Sequence, residues 1–424
     1  MKIVVHNHEQ SHVAAGWIWD CTKEEFFDGW IEFENGRIVA MGRGSIPPAT
    51  PLFRGIILQR FINHHTHLGD SIFAETIRAT VRTMDLRAVV APPDGLKHRL
   101  LASAGKEEIV KGIVQSLQKM IYNGTGRFID FREEGIQGIY CMHEALRTPL
   151  ADAGITISLP SGENARNARE TLYGDFTFQD TIFLLIFGRP ASLTCTPSEI
   201  ERILAAADGI GLSAYADWEH GDFFAIAEEA HRRNKLFAVH VSEEFHEPLD
   251  EILDAHPDML VHMIHSTRKE WDVVAESGIP VVCCPQANAL FDLRPPIEGM
   301  FQAGVNVMLG TDNAMLIDPD ILEEVRYTFY HYPLFRKQGK SGFRKCLRMA
   351  LPSAGKKLVS LEPIEEGKEA HFQVMTLPGR NDYSHPEHIL AGSSDGGTGT
   401  TSESITIKPV VHGLVRENRI FEIL

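Results

Sequence analysis

The chain has 424 residues, with 41 Lys and Arg against 57 Asp and Glu, for a formal net charge of −16. Apolar residues make up 43% and charged ones 23%, the balance of a folded chain with room for a large core and no need of disulfide staples. The acidic excess speaks against a nucleic-acid backbone or an anionic membrane as the main partner, and no apolar run approaches the roughly 20 residues that span a bilayer.

The opening MKIVVHNHEQ turns polar too early for a secretory apolar segment. The six cysteines are scattered, and no C-x-x-C spacing occurs. Free thiols in a reducing cytoplasm are therefore expected, and a thiolate zinc site is not.

In chain order, residues 1–55 read as short strands, Trp17–Cys21, Trp30–Phe33 and Arg37–Met41, with Asn35-Gly36 as a hairpin turn. The middle alternates strand and helix. Apolar runs predict strands over 56–63, 127–131, 155–159, 210–215, 236–241, 260–264, 280–284 and 305–309. Helical spacing of Ile109, Ile113, Leu117, Met120 and Ile121 predicts a helix over Glu107–Asn123, stopped by Gly124. Ser198 with Glu201 and Asp320 with Glu323 have capping-box spacing. Strand-like runs return at Ala370–Leu377 and Ile405–Leu424, separated by the Gly/Ser/Thr loop Gly392–Ser404.

Eight strands alternating with helices point to an α/β chain, a (β/α)8 TIM-like barrel over 56–362. Residues 1–55 and 363–424 would form a small composite β-sandwich domain. Barrel enzymes carry their reactive groups at strand ends, and here those ends are rich in chemistry. The first strand ends in His65-Thr66-His67, and residues two apart in a strand share a face, so both imidazoles can reach one ion. The fifth ends in His240-Val241-Ser242-Glu243, the sixth is followed by His265, and the eighth leads to Leu309-Gly310-Thr311-Asp312. Imidazole and carboxylate ligands suit Zn²⁺ or Fe²⁺ and leave a position for water. The ion lowers that water's pKa from about 16 towards about 7. Glu243, three residues after an imidazole, is then the natural proton shuttle.

These motifs, with Phe61-Ile62-Asn63-His64-His65-Thr66-His67-Leu68 and Cys284-Pro285-Gln286-Ala287-Asn288, resemble the amidohydrolase superfamily, in its cytosine-deaminase-like and chlorohydrolase-like branch. The resemblance covers nearly the whole chain. It implies that His65, His67, His240 and Asp312 hold one metal ion and that Glu243 carries protons to the leaving group. It also implies that His265 hydrogen-bonds the attacked centre and that Asp312 orients the water and accepts its proton. Two-metal members use a carboxylated Lys at the fourth strand; Gly209–Trp218 contains none, so one divalent ion, Zn or Fe, is expected.

The resemblance implies a metal-dependent amidohydrolase acting on carbon–nitrogen bonds other than peptide bonds. Its expected reaction is deamination of a cyclic amidine, a purine, pyrimidine or pterin ring, by metal-bound hydroxide. A chlorohydrolase or a cyclic amide or guanidine hydrolase is the alternative on the same site. A non-catalytic binding protein on the barrel is the alternative from another class, and the complete ligand set speaks against it. The expected partners are a small-molecule substrate and a second copy in a homodimer, without nucleic acid or membrane. Asp70, Arg132, Glu133, Glu134 and Asn288 stand where substrate contact is conceivable, and each has a plainer reading as a cap, a turn or a paired rim charge. His64 should face away from His65 and pack.

Overall fold

A computed structural model of the chain describes residues 2–5, 11–34, 36–44, 47–149, 156–158, 182–351, 363–376, 383–392 and 406–411. The chain divides into two compact units. One comprises 1–60, 147–182 and 352–424; the other comprises 61–146 and 183–351.

In the first unit the described strands form one hydrogen-bonded sheet of eight. His12–Asp20, Glu25–Glu34 and Arg37–Arg43 are joined antiparallel, and Phe53–Leu58 runs parallel to the first of them. Phe372–Thr376 and Thr406–Val411 pair antiparallel beside it. Alternate residues of these strands, among them Ile18, Ile31, Phe33, Ile57, Phe372 and Val374, are buried in a single apolar cluster. Alternation supplies one apolar face per strand, and pairing lines those faces up. The Gly392–Ser404 loop and the end of the Ile405–Leu424 run lie outside the described residues.

The second unit is a TIM-like barrel. Its parallel strands are Phe61–His67, Thr125–Arg132, Phe183–Gly188, Gly209–Leu212, Leu236–Val241, Met259–His262, Val281–Cys283 and Val307–Leu309. Each pairs with its neighbour in that order. Just beyond Leu309, Asp312–Asn313 pairs in parallel with Thr66–His67 of the first strand, which closes the sheet on itself. The strands are nearly continuous buried runs, as expected where helices cover the outside. Lys106–Tyr122, between the first two strands, buries the face marked by Ile109, Ile113, Leu117, Met120 and Ile121.

One expected strand is corrected. Thr156–Ser158 pairs with Lys2–Val4 in the first unit's sheet, and the third barrel strand is Phe183–Gly188. A three-residue Thr-Ile-Ser run is too short to specify its partner from sequence, whereas Phe-Leu-Leu-Ile-Phe is apolar on both faces, as a barrel strand must be. The helix Pro197–Ala206 is capped by the Thr196 side chain, which accepts from Glu199 N, two residues before the expected cap. Ile321–His331 is capped by Asp320.

Candidate active site at the barrel's strand ends

Four strand ends deliver the site. His65 and His67 lie on one face of the first strand, and their Nε2 atoms are 3.1 Å apart. His240 comes from the fifth strand and sets Nε2 3.3 Å from His65 Nε2. Asp312 Oδ1 is 3.3 Å from His65 Nε2 and 3.5 Å from His67 Nε2. All four residues are buried. The Phe131 ring packs edge-on against His65 at 4.4 Å and against His240 at 5.2 Å, holding both imidazoles in orientation. Gly310 lets the eighth strand approach, since a Cβ there would lie 2.7 Å from His65 Cβ.

The ring tautomers can be read from the partners. His240 Nδ1 is 2.6 Å from the Leu212 carbonyl, which only accepts, so Nδ1 donates and Nε2 carries a lone pair. His67 Nδ1 faces Glu133 Oε1 at 2.6 Å, which favours the proton on the same nitrogen. Two lone pairs and a carboxylate oxygen thus converge beside His65. Burial is the main reason that the His67 pKa falls to about 3 and that of His240 falls well below the usual histidine value, so both rings are neutral near pH 7. Burial alone would raise Asp312, but its contact with His65 and the surrounding imidazoles outweighs that and holds it ionised, well below the usual carboxylate range. Neutral imidazoles and an ionised carboxylate are the donor set that a divalent ion requires, so the residues fit the expected metal. His65, His67 and Asp312 form one group with ligand atoms within 4.8 Å of one another, and His65, His240 and His262 form a second.

His262 corrects one expectation. His265 sits exposed on the turn after the sixth strand, where its backbone N–H donates to Ser242 O at 2.9 Å. The imidazole that reaches the site is His262, the last residue of that strand, with Nε2 3.4 Å from Glu243 Oε1. The expected strand ran to 264, and the two-residue overshoot made the wrong histidine look like the strand-end group. His262 is a lone imidazole closing a buried Met-Leu-Val run. Its backbone is left-handed at φ 75°, as is that of Asp312 at φ 64°, a conformation that non-glycine residues adopt at a cost and that gathers at functional sites.

Glu243 lies beside this group and accepts from Asn288 Nδ2 at 3.0 Å. Burial, then the neighbouring Asp312 carboxylate, raises its pKa well above the usual value. A carboxyl so raised can hold and release a proton near neutral pH. His67, His240, Glu243, His262 and Asp312 share one cleft of about 640 Å³, open mouth included.

The remaining candidates divide. Asn288 touches Glu243, and Glu133 reaches His67, as above. Asp70 is buried and accepts from Asn313 Nδ2 and Met315 N. Arg132 is buried against Asp130 at 3.2 Å. Glu134 is partly exposed with a left-handed backbone. His64 is buried with Nδ1 3.1 Å from Leu309 O, away from the cluster, where it donates to that carbonyl. Sequence reasoning missed His262, and it missed Lys97 and Arg189, two buried cations of the cleft wall. Neither cation sits in a motif.

A closed parallel barrel with imidazoles and a carboxylate on its strand ends defines a metal-dependent hydrolase. The amidohydrolase family model matches residues 57–402, and the chain belongs to that family. It is an enzyme of the class that hydrolyses carbon–nitrogen bonds other than peptide bonds. A Methanothermobacter thermautotrophicus protein with a provisional aminohydrolase name is 30% identical over 285 residues, covering 64% of this chain and 67% of that one. The 5-methylthioadenosine/S-adenosylhomocysteine deaminase of Halobacterium salinarum is 26% identical, covering 70% and 68%. The crystal structure of atrazine chlorohydrolase from Arthrobacter aurescens, complexed with zinc, superposes with a TM-score of 0.65 at 16% identity, covering 95% of this chain and 94% of that one. No helix among the described residues is long and apolar enough to cross a membrane.

Proposed function

We propose that this chain is an aminohydrolase that releases ammonia from a cyclic amidine, a purine, pyrimidine or pterin ring, in a mononuclear metal site. His65, His67, His240 and Asp312 would hold the ion, zinc or iron. When bound, the ion supplies the Lewis acidity that makes water a nucleophile near neutral pH. The observation that carries this reading is the fixed tautomer of His240, whose Nε2 lone pair is turned to His65.

The chain's own groups divide the remaining work. Asp312 orients the attacking water and accepts its proton. Glu243, steadied by Asn288, moves a proton to the departing amine. His262, 3.4 Å from Glu243, takes the hydrogen-bonding role first expected of His265 and faces the attacked centre. Buried side chains around the cleft exclude bulk water and strengthen each of these interactions. The chain would work in the cytoplasm as a homodimer, without nucleic acid or membrane, which light scattering after size exclusion checks for the oligomer.

The test is an ammonia-release screen of purified protein across purines, pyrimidines, nucleosides and pterins. Ammonia from one ring class supports the reading. Chloride release from a halogenated triazine, with no ammonia from any ring, would replace it by the chlorohydrolase alternative.

A further inference from the structure

Three cationic side chains line the cleft: Arg87, Lys97 and Arg189. Arg87 is half exposed and reaches Asp217 at 3.8 Å and Glu244 at 3.4 Å. Lys97 is buried with Nζ 2.5 Å from Glu133 Oε1. Arg189 differs from both. It follows the third strand, its backbone N–H donates to Arg132 O at 2.9 Å, and only 7% of its surface is exposed. Among the described residues, no carboxylate lies within 4.0 Å of its guanidinium; Glu133, Glu134 and Asp217 feel its charge from farther away.

The side-chain neighbour of Arg189 is His98, with Nε2 3.1 Å from Arg189 Nη2. That same Nε2 is 3.1 Å from the Val90 carbonyl, which can only accept. A proton placed on Nε2 for Val90 leaves the lone pair on Nδ1, which is 3.5 Å from Arg189 Nη2, a long contact for a hydrogen bond. Burial, then Arg189 itself, lowers the His98 pKa to about 3, so the ring carries no charge and neutralises none. Arg189 thus lines the cleft as a largely buried guanidinium whose side-chain neighbour is an uncharged ring, and a planar anion entering the cleft would supply the missing counter-charge. Arginine's fork matches a carboxylate in two-point geometry.

We infer that Arg189 anchors a carboxylate carried by the substrate, so that the ring compound reaching Glu243 is a monoanion. This rests on the reading of the cleft as the substrate site. The charge count favours one negative charge over two, because Asp312, Glu244 and Asp217 also line the cleft and would repel a dianion.

The test measures binding, so it needs no turnover. Oxo-ring products of purine, pyrimidine and pterin type, which cannot lose ammonia again, are prepared with a short carboxylate arm, with the matching primary amide, and with a phosphate ester. Calorimetry is run on the full-length wild type, on Arg189→Met and on Arg189→Lys, with thermal unfolding as the folding check. For at least one ring, the acid should bind wild type about 10- to 100-fold tighter than its amide. Arg189→Met should reduce that preference to about 3-fold or less, and Arg189→Lys should keep part of it. An acid that binds no better than its amide on every ring overturns the inference, as does a preference that survives Arg189→Met. A phosphate ester that outbinds the acid overturns the monoanion assignment. Failure of the ammonia screen would instead refute the deaminase reading and would leave the acid preference at Arg189 measurable.

Discussion

Two polar clusters share the interior of the barrel, and they differ in how completely their atoms are paired. In the first, Asp130 accepts from Thr66 Oγ1 and Leu68 N, both at 2.8 Å, and from Arg132 Nη1 at 3.2 Å. Arg132 Nε donates to Gly138 O, and Asn63 exchanges two hydrogen bonds with Thr311. In the second, His65 Nδ1, His262 Nδ1 and Asn288 Oδ1 are buried without a hydrogen-bond partner. Between them Glu133 is held by charge, with Oε1 2.6 Å from His67 Nδ1 and 2.5 Å from Lys97 Nζ. A paired network holds strands in place. Orphaned polar atoms cost stability and persist at sites that bind or react. Burial does not separate the two clusters, because both are fully buried; pairing does.

That contrast can be broken by experiment. Glu243→Gln should lower kcat by about 10²- to 10⁴-fold with metal content and unfolding midpoint near wild type. Near-normal turnover would remove the proton-carrying role. Arg132→Met should do the reverse, leaving the buried Asp130 without its cation at a cost of about 3–5 kcal/mol in urea unfolding. An unchanged midpoint would show that the paired cluster is not what holds those strands. His262→Gln should lower kcat/KM by about 10- to 100-fold, the range for one positioned catalytic hydrogen bond, while His265→Gln should stay within about twofold. Equal effects would erase the distinction between the strand-end ring and the exposed one.

The smallest effect concerns Glu324, which is hydrogen-bonded yet uncompensated in charge. It accepts from Gln286 N and Nε2, and burial, then Asp312, raises its pKa to about 8. The folded chain therefore keeps a proton that the unfolded chain releases near pH 4.5, the ordinary glutamate value. With more protons bound when folded, stability falls as pH rises between those two values. Glu324→Gln should flatten that fall by about 1–3 kcal/mol in unfolding measured from pH 5 to 8. An identical slope would show that Glu324 does not titrate across that window.

How much of this was legible follows from which forces are local. The period-two spacing of His65 and His67 fixes their common face, and apolar runs ending in His240 and leading to Asp312 mark strand ends. Those features depend on the chain within a few residues of each group. His262 was displaced by a boundary error of two residues, because a terminal Val-His-Met-Ile-His reads equally well as strand or turn. The third strand was misplaced because pairing partners are set by packing far along the chain. Lys97 lies within a helix-rich insertion and Arg189 just beyond a strand end, and only the closed barrel brings them to one wall.

The central claim is that His65, His67, His240 and Asp312 at the strand ends are metal ligands. The direct measurement is elemental analysis by mass spectrometry of purified wild type and His240→Ala, each after reconstitution with zinc or iron and gel filtration. The account predicts about one equivalent of zinc or iron in wild type and a marked loss in the variant. A metal-free wild type, or full occupancy without the His240 ring, would contradict it.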